Sequence, residues 1–137
     1  MAEKAITISN QITQLEVLAN AMENISEEWD IPMNISLSFN LVLEELVTNI
    51  IFYGYDDKND HEIRIGLSYD NNIMQIQIED DGREFNPLLM AEPDLDVAIE
   101  NRKIGGLGIH FVRKIMDDII YLRSENKNIL TMKKNIV

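Results

Sequence analysis

The sequence predicts an α+β fold: a two-layer sandwich with a mixed, mostly antiparallel sheet and its helices on one face. Three observations predict it. Two helical stretches come first, one amphipathic and one apolar nearly all round. Two alternating segments of period two follow, joined by a short polar turn. A glycine-opened helix and two final strands close the chain. At 137 residues with no repeat and no low-complexity linker, the whole of 1–137 reads as one domain.

Each element has a local reason. Ala5 to Ile8 reads as a short strand. Ser9 or Asn10 is placed to cap a helix whose Ile12, Leu15, Leu18, Ala19, Met22 and Ile25 share a face, ending near Trp29. Ile31-Pro32 starts the next connection. A second helix runs from about Ile35 to Tyr53, rich in Leu, Val and Ile on most sides, as a buried helix is. Gly54 stops it, and the run DDKND is a solvated turn. Ile63, Ile65, Leu67 and Tyr69 alternate along one strand, and Met74, Ile76 and Ile78 along the next, with Asp70-Asn71-Asn72 as the hairpin between. Asn86 to Lys103 lacks periodicity and is longer than an ordinary loop. The last helix turns Ile109, Val112, Ile115 and Met116 inward. Strands at about 118–123 and 128–134 follow.

Composition excludes several function classes. There are 24 acidic and 12 basic residues, for a net charge of −12, which repels nucleic-acid backbones and anionic membranes. Cysteine is absent, so disulfides, thiolate metal sites and cysteine nucleophiles are out, as befits the cytoplasm. Two histidines, His61 and His110, do not make a histidine-rich metal site. The N-terminus does not read as a secretory signal, and no apolar stretch is expected to reach transmembrane length.

Four features bear chemistry. Glu45 and Asn49 lie four residues apart on the apolar helix, about 40° apart around its axis, whereas Glu44 is about 140° from Asn49. An amide oxygen is a fair Mg²⁺ ligand and a carboxylate beside it a fair general base. Spacing alone equally allows both to face solvent. Asp80 continues the parity of Met74, Ile76 and Ile78, so its carboxylate points to the apolar side and needs a donor there. An adenine amino group is one candidate, an ordinary Asp-Asp-Gly turn ending a strand the other, with Gly82 giving backbone room. Gly105-Gly106-Leu107-Gly108 opens a helix, and free N–H groups there suit an anion, although it is neither a Walker loop nor a dinucleotide fingerprint. Thr131, between Leu130 and Met132, either meets a base or Asp80, or reflects strand propensity.

Taken in order, LVLEELVTNIIFYGY, IEDDGREFNP, IGGLGIHFVRKIMD and LTMKK resemble the GHKL ATPase superfamily, with its Bergerat fold, over nearly the whole chain. Within it the chain resembles the anti-sigma-factor serine/threonine kinases. The resemblance implies ATP and Mg²⁺ as cofactors. It implies Glu45 as general base and Asn49 as Mg²⁺ ligand. Asp80 and Gly82 would lie at adenine, Gly105, Gly106, Leu107 and Gly108 at the phosphates, and Thr131 near the base. It makes about 86–104 an ATP lid, from which Arg102 or Lys103 reaches a phosphate. It implies two partners, a STAS-type anti-anti-sigma protein that is phosphorylated and a sigma factor that is sequestered, and a homodimer in some relatives. Two positions depart from the pattern: Tyr53 stands where histidine is frequent, and Glu84 where a second glycine is usual. His110, on the first turn of the last helix, reads as structural or partly exposed. The alternative function is an ATP- or ADP-sensing module that binds a partner without phosphorylating it.

Overall fold

The computed structural model describes residues 2–89 and 106–136. Strand β1 (Ala2–Ser9) leads into helices α1 (Gln14–Glu28) and α2 (Met33–Tyr53). The hairpin of β2 (Glu62–Asp70) and β3 (Ile73–Asp80) follows. A short 3₁₀ turn at Pro87–Leu89 precedes α3 (Gly106–Ile115), and β4 (Asp118–Ser124) and β5 (Lys127–Asn135) complete the chain.

The five strands form one sheet in the order β1-β2-β3-β5-β4. Every pairing is antiparallel, so the sheet is purely antiparallel and not mixed. The reason lies in the connections. Both hairpins turn on two residues in the left-handed region, Asn71-Asn72 (φ 51° and 64°) and Glu125-Asn126 (φ 52° and 64°), which matches the strands' twist. The helical segments carry the chain to edge or neighbouring positions without setting two strands parallel.

Period two divides the sheet into two faces. Ile63, Ile65, Leu67, Met74, Ile76, Ile78, Leu130 and Met132 are buried on one. Leu18, Met22 and Ile25 of α1, Phe39, Val42, Leu43 and Val47 of α2, and Ile109 and Val112 of α3 complete the same core. The other face carries Arg64, Gln75, Gln77, Glu79 and Lys133. All three helices therefore lie on one side. α2 is central, packed between α1 and α3, and the buried Ser26–Ser36 hydroxyl pair (2.7 Å) pins it to α1.

Two expectations need correction. Helix α1 is capped neither by Ser9 nor by Asn10, because a turn at 12–13 intervenes and Thr13 occupies the cap position without a side-chain bond. Asn10 instead accepts from the His61 N–H (3.0 Å) and donates to the Asn59 carbonyl (3.3 Å), tying the end of β1 to the start of β2. And α2, at 21 residues, is long and apolar enough to cross a membrane by length and composition. Its apolar surplus is the signature of the central core helix: Phe39, Val42 and Val47 have no exposed surface.

Phe39→Ala should destabilise the fold by about 3–5 kcal/mol, through lost burial and the cavity left behind. Urea unfolding followed by far-UV circular dichroism checks this; a loss under about 1 kcal/mol would mean that the site collapses freely.

Candidate functional site: a cavity at the open end of the sheet

The C-terminal end of β3 and the N-terminal end of β5 lie side by side, with Asp80 opposite Asn128 in register. Beyond them opens a cavity of about 420 Å³. Its walls are Leu46, Asn49, Ile50, Tyr53 and Gly54 from α2 and its end, Ile78 and Asp80 from β3, the loop residues Arg83, Glu84, Phe85 and Pro87, Tyr121 from β4, and Asn128 and Leu130 from β5. Apolar walls with a few polar groups suit a small organic ligand with one oriented polar edge.

Asp80 is only 5% exposed. Burial pushes its carboxyl above the usual carboxylate range, and hydrogen bonds from Asn128 and the Gly82 N–H pull back, with Arg123 nearby also favouring the charge. Both bonds fall on one oxygen. Oδ1 accepts from the Gly82 N–H (2.8 Å) and from Asn128 Nδ2 (3.1 Å). Among the described residues no hydrogen bond reaches Oδ2.

Gly82 is glycine because backbone crosses backbone there. A Cβ would stand 2.5 Å from the Gly54 carbonyl oxygen and 2.9 Å from Asp80 Oδ1. The same Gly54 carbonyl accepts from the Arg83 N–H (2.8 Å), so the turn after β3 rests on the end of α2. The close approach read from the sequence is thus made to α2, and Gly82 does not line the cavity. Arg83 reinforces the contact, its guanidinium donating to the Tyr53 carbonyl and lying 3.6 Å from Asp56, a favourable charge at a helix C-terminus. Arg123 donates to the Gly82 carbonyl (2.8 Å) from β4.

Beneath this turn sits a second polar group. The His61 ring stacks on Tyr55 (centroids 4.1 Å apart) and bridges two carboxylates, Asp57 at Nε2 (2.7 Å) and Asp81 at Nδ1 (3.0 Å). The bond to Asp57 raises the His61 pKa above 6.5, and that to His61 lowers Asp57. The Tyr55 hydroxyl is buried without a partner among the described residues. Burial and then Asp80, Asp81 and Asp57 drive its ionisation well above the ordinary tyrosine range.

Glu45 and Asn49 do meet. Asn49 Nδ2 approaches Glu45 Oε1 at 3.4 Å. Glu45 also lies against α3 at Gly108, where an added Cβ would stand 1.9 Å from both its Cδ and its Oε1. Only glycine leaves space for that carboxylate beside the first turn of α3, where free N–H groups favour negative charge. Asn49 lines the cavity and Glu45 does not.

Gly106 begins α3, and Leu107 follows it in the helix. Gly105, Arg102, Lys103 and most of the lid segment fall outside the described residues. The described start of the segment expected to form a lid is held: Leu88 N–H donates to Asn86 Oδ1 (2.9 Å), and Arg113 of α3 donates to the Pro87 carbonyl (3.4 Å). Glu84 and Tyr53, the two departures, both line the cavity, and each is exposed on its outer side. His110 is partly exposed, as read.

Thr131 is the misplaced residue. It pairs with Gln77, whose Nε2 donates to its hydroxyl (3.1 Å), on the sheet face away from the helices. Parity decides this: Leu130 and Met132 point to the core, so Thr131 cannot. The β5 residue beside Asp80 is Asn128, two before Leu130 and on the same face. That parity was available in the sequence; the pairing of β5 with β3 was not.

A family model described as "Histidine kinase-like ATPase domain" matches residues 8–134. The chain belongs to the histidine kinase-like ATPase domain family. Among its curated relatives is the serine/threonine-protein kinase BtrW of Bordetella bronchiseptica, 23% identical over 128 residues, which cover 93% of this chain and 85% of the relative. Another is the anti-sigma F factor of Bacillus velezensis, 24% identical over 114 residues, 83% of this chain and 68% of the relative. In fold it is similar to the histidine kinase domain of the blue-light activated histidine kinase of Erythrobacter litoralis. There the TM-score is 0.57 at 18% identity, over 91% of this chain and 60% of that one.

Two outcomes test this geometry. Gly108→Ala should cost about 1–3 kcal/mol by crowding Glu45, whereas in a Glu45→Ala background the same change should be neutral or stabilising, since alanine favours a helix over glycine. A urea double-mutant cycle with no coupling would place Glu45 elsewhere. For His61, the raised pKa means that its contribution is complete below 6.5 and fades as pH rises through the folded value, while the Asp57 side fades only in acid, below 3.8. The stability advantage of wild type over His61→Gln should therefore peak between those limits and shrink above neutrality; a pH-independent difference in urea midpoints would rule the bridge out.

Proposed function

We propose that the domain is an ATP-dependent protein-serine kinase of the anti-sigma type, which phosphorylates a STAS-domain antagonist and sequesters a sigma factor or similar partner. The observation that carries the proposal is the junction of Glu45, Asn49 and Gly108 beside a cavity that has Asp80 at its base. Similarity to a serine/threonine-protein kinase and to an anti-sigma F factor supports it.

The residues fit the cofactors. Asp80 Oδ2 is an acceptor facing an apolar slot, which matches an adenine ring with its exocyclic amine. Asn49 donates through Nδ2, and among the described residues nothing bonds its Oδ1. No group of three or more His, Asp or Glu that could hold a metal exists among the described residues. A single amide oxygen is what Mg²⁺ needs from the protein when phosphates and water supply its other ligands. When bound with ATP, Mg²⁺ neutralises phosphate charge. The chain's own part is to orient and to move a proton. Asp80 fixes the base, Asn49 fixes the cation, and Glu45 accepts the proton of the incoming serine hydroxyl. Glu45 is held one helical turn from Asn49 for that purpose, its position guarded by the absence of a side chain at Gly108.

Calorimetry and single-turnover transfer from ATP to a STAS-domain protein of the same source test the assignments separately. Asp80→Asn should weaken ATP binding by about tenfold or more, by loss of a charged acceptor. Glu45→Gln should bind ATP like wild type yet transfer phosphate at least about 100-fold more slowly. Wild-type transfer by Glu45→Gln sinks the base assignment. ATP binding by the wild-type protein with no transfer to any partner would leave a nucleotide-sensing module.

A further inference from the structure

Asn128 makes four hydrogen bonds, all the capacity its amide has. Nδ2 donates to Asp80 Oδ1 (3.1 Å) and to the Arg83 carbonyl (2.8 Å). Oδ1 accepts from the Tyr121 hydroxyl (2.6 Å) and from the Phe85 N–H (3.2 Å). It is 8% exposed. It has nothing left for a ligand, although it lines the cavity. An amide flipped by half a turn would set its oxygen against Asp80 Oδ1 and the Arg83 carbonyl and its nitrogen against the Phe85 N–H, so the Phe85 N–H and the Arg83 carbonyl fix which end faces Asp80, and the Tyr121 hydroxyl holds the amide in that place. One oxygen of Asp80 is thereby committed to protein. The other keeps accessible surface, because the only buried side-chain oxygen or nitrogen without a partner among the described residues is that of Tyr55.

We propose that Asn128 is the positioning residue that sets base specificity: together with the Gly82 N–H it holds Asp80 Oδ1 to protein and so keeps Oδ2 as the acceptor left for a ligand, so that the cavity takes a 6-aminopurine and rejects a 6-oxopurine. The proposal rests on reading the cavity as a purine site. A 6-amino group donates to a carboxylate oxygen; a 6-oxo group in its place sets two acceptors face to face, with no donor between them. Asn128 acts through Asp80 and touches no base. The same amide also braces Arg83 and Phe85, so the carboxylate and one wall of the slot are set by one side chain.

The charged and titratable groups around Asp80 are Asp81 in the same turn, Arg123 from β4, and the neutral phenols of Tyr55 after α2 and Tyr121 on β4. Burial raises the Asp80 pKa, and a protonated Oδ2 could donate to a 6-oxo group. Acid should therefore erode the preference in wild type.

The experiment measures binding of ATP and of inosine triphosphate by calorimetry from pH 5 to pH 8, taking the ratio of the two affinities so that titration of the shared triphosphate cancels. Wild type should prefer ATP, with the preference falling on acidification. Asn128→Asp keeps the size and both acceptors but deletes both donors. Its preference should fall by about tenfold or more near pH 8, the worth of a hydrogen bond to a charged group. It should then recover in acid, as one proton shared between the paired carboxylates restores the donor. Opposite slopes support the proposal; the wild-type ratio and slope in the variant overturn it. If Asn128→Asp does not fold, Tyr121→Phe decides, since it keeps the packing and removes only the hydroxyl that holds the amide oxygen in place. A several-fold fall in the ratio is expected, and an unchanged ratio overturns the proposal. Absence of ATP binding by wild type would instead refute the purine site itself.

Discussion

Burial of one carboxylate, Asp80, organises the working end of this domain. Strand parity sends it to the core face, where an unpartnered charge would be costly. Its partners come from three places, the turn that directly follows it and two strands remote in sequence. Gly82 supplies an N–H only because the turn after β3 folds back tightly, and that turn lies so close to Gly54 that a side chain at 82 would strike the Gly54 carbonyl. Asn128 supplies a second donor only because β5 pairs with β3 in the register that sets it opposite Asp80. Arg123 adds a favourable charge from the edge strand while holding the Gly82 carbonyl. The strand order and the shape of the loop are both needed to keep this one group ionised and oriented.

Helix α2 carries the same logic from one end of the cavity towards the other. Gly54, at its C-terminal end, receives the Asp80 turn. Glu45 and Asn49, earlier in the helix, are polar groups on a mostly apolar segment, and their cost is met by each other and by the first turn of α3. Nine residues separate Glu45 from Gly54, a rise of roughly 14 Å. A rigid helix thus fixes the spacing between the turn that holds Asp80 and the Glu45–Asn49 pair. That α2 is buried against α1, α3 and the sheet is what makes this spacing dependable.

Much of this was legible in the sequence, for reasons that differ by residue. The core faces of β2 and β3 follow from period two alone, and so does the inward direction of Asp80. The meeting of Glu45 with Asn49 follows from helical geometry. Part of what failed needed tertiary information, and Thr131 needed only the parity of its own strand. Asn10 is a good cap by composition, but the turn before α1 and the proximity of His61 give its amide other partners. Thr131 was matched to the base by motif, whereas its parity with Gln77 puts it on the far face. Asn128 carries no signal as a single polar residue after a turn; its role exists only once β5 lies beside β3. Gly108 reads as a ligand glycine, yet the geometry shows that its first task is to make room for Glu45.

A chain with a net charge of −12 must bind a polyanion against its own field. Among the described residues, the arginines lining or flanking the cavity are already engaged. Arg83 is committed to the Tyr53 carbonyl and Asp56, and Arg123 to the Gly82 carbonyl. Near α3 the charge already in place is the wrong one, since Glu45 lies against its first turn. A triphosphate brought there would face a carboxylate, and backbone N–H groups supply only partial positive charge. On the proposed reading, a divalent cation between the two would relieve that repulsion, and a neutral oxygen on the protein side would add none of its own. Asn49 is such a group, adjacent to Glu45 and open to the cavity. Under that proposal, an amide at position 49 would leave the cation's charge for the phosphates and leave the neighbouring Glu45 carboxylate to receive a proton.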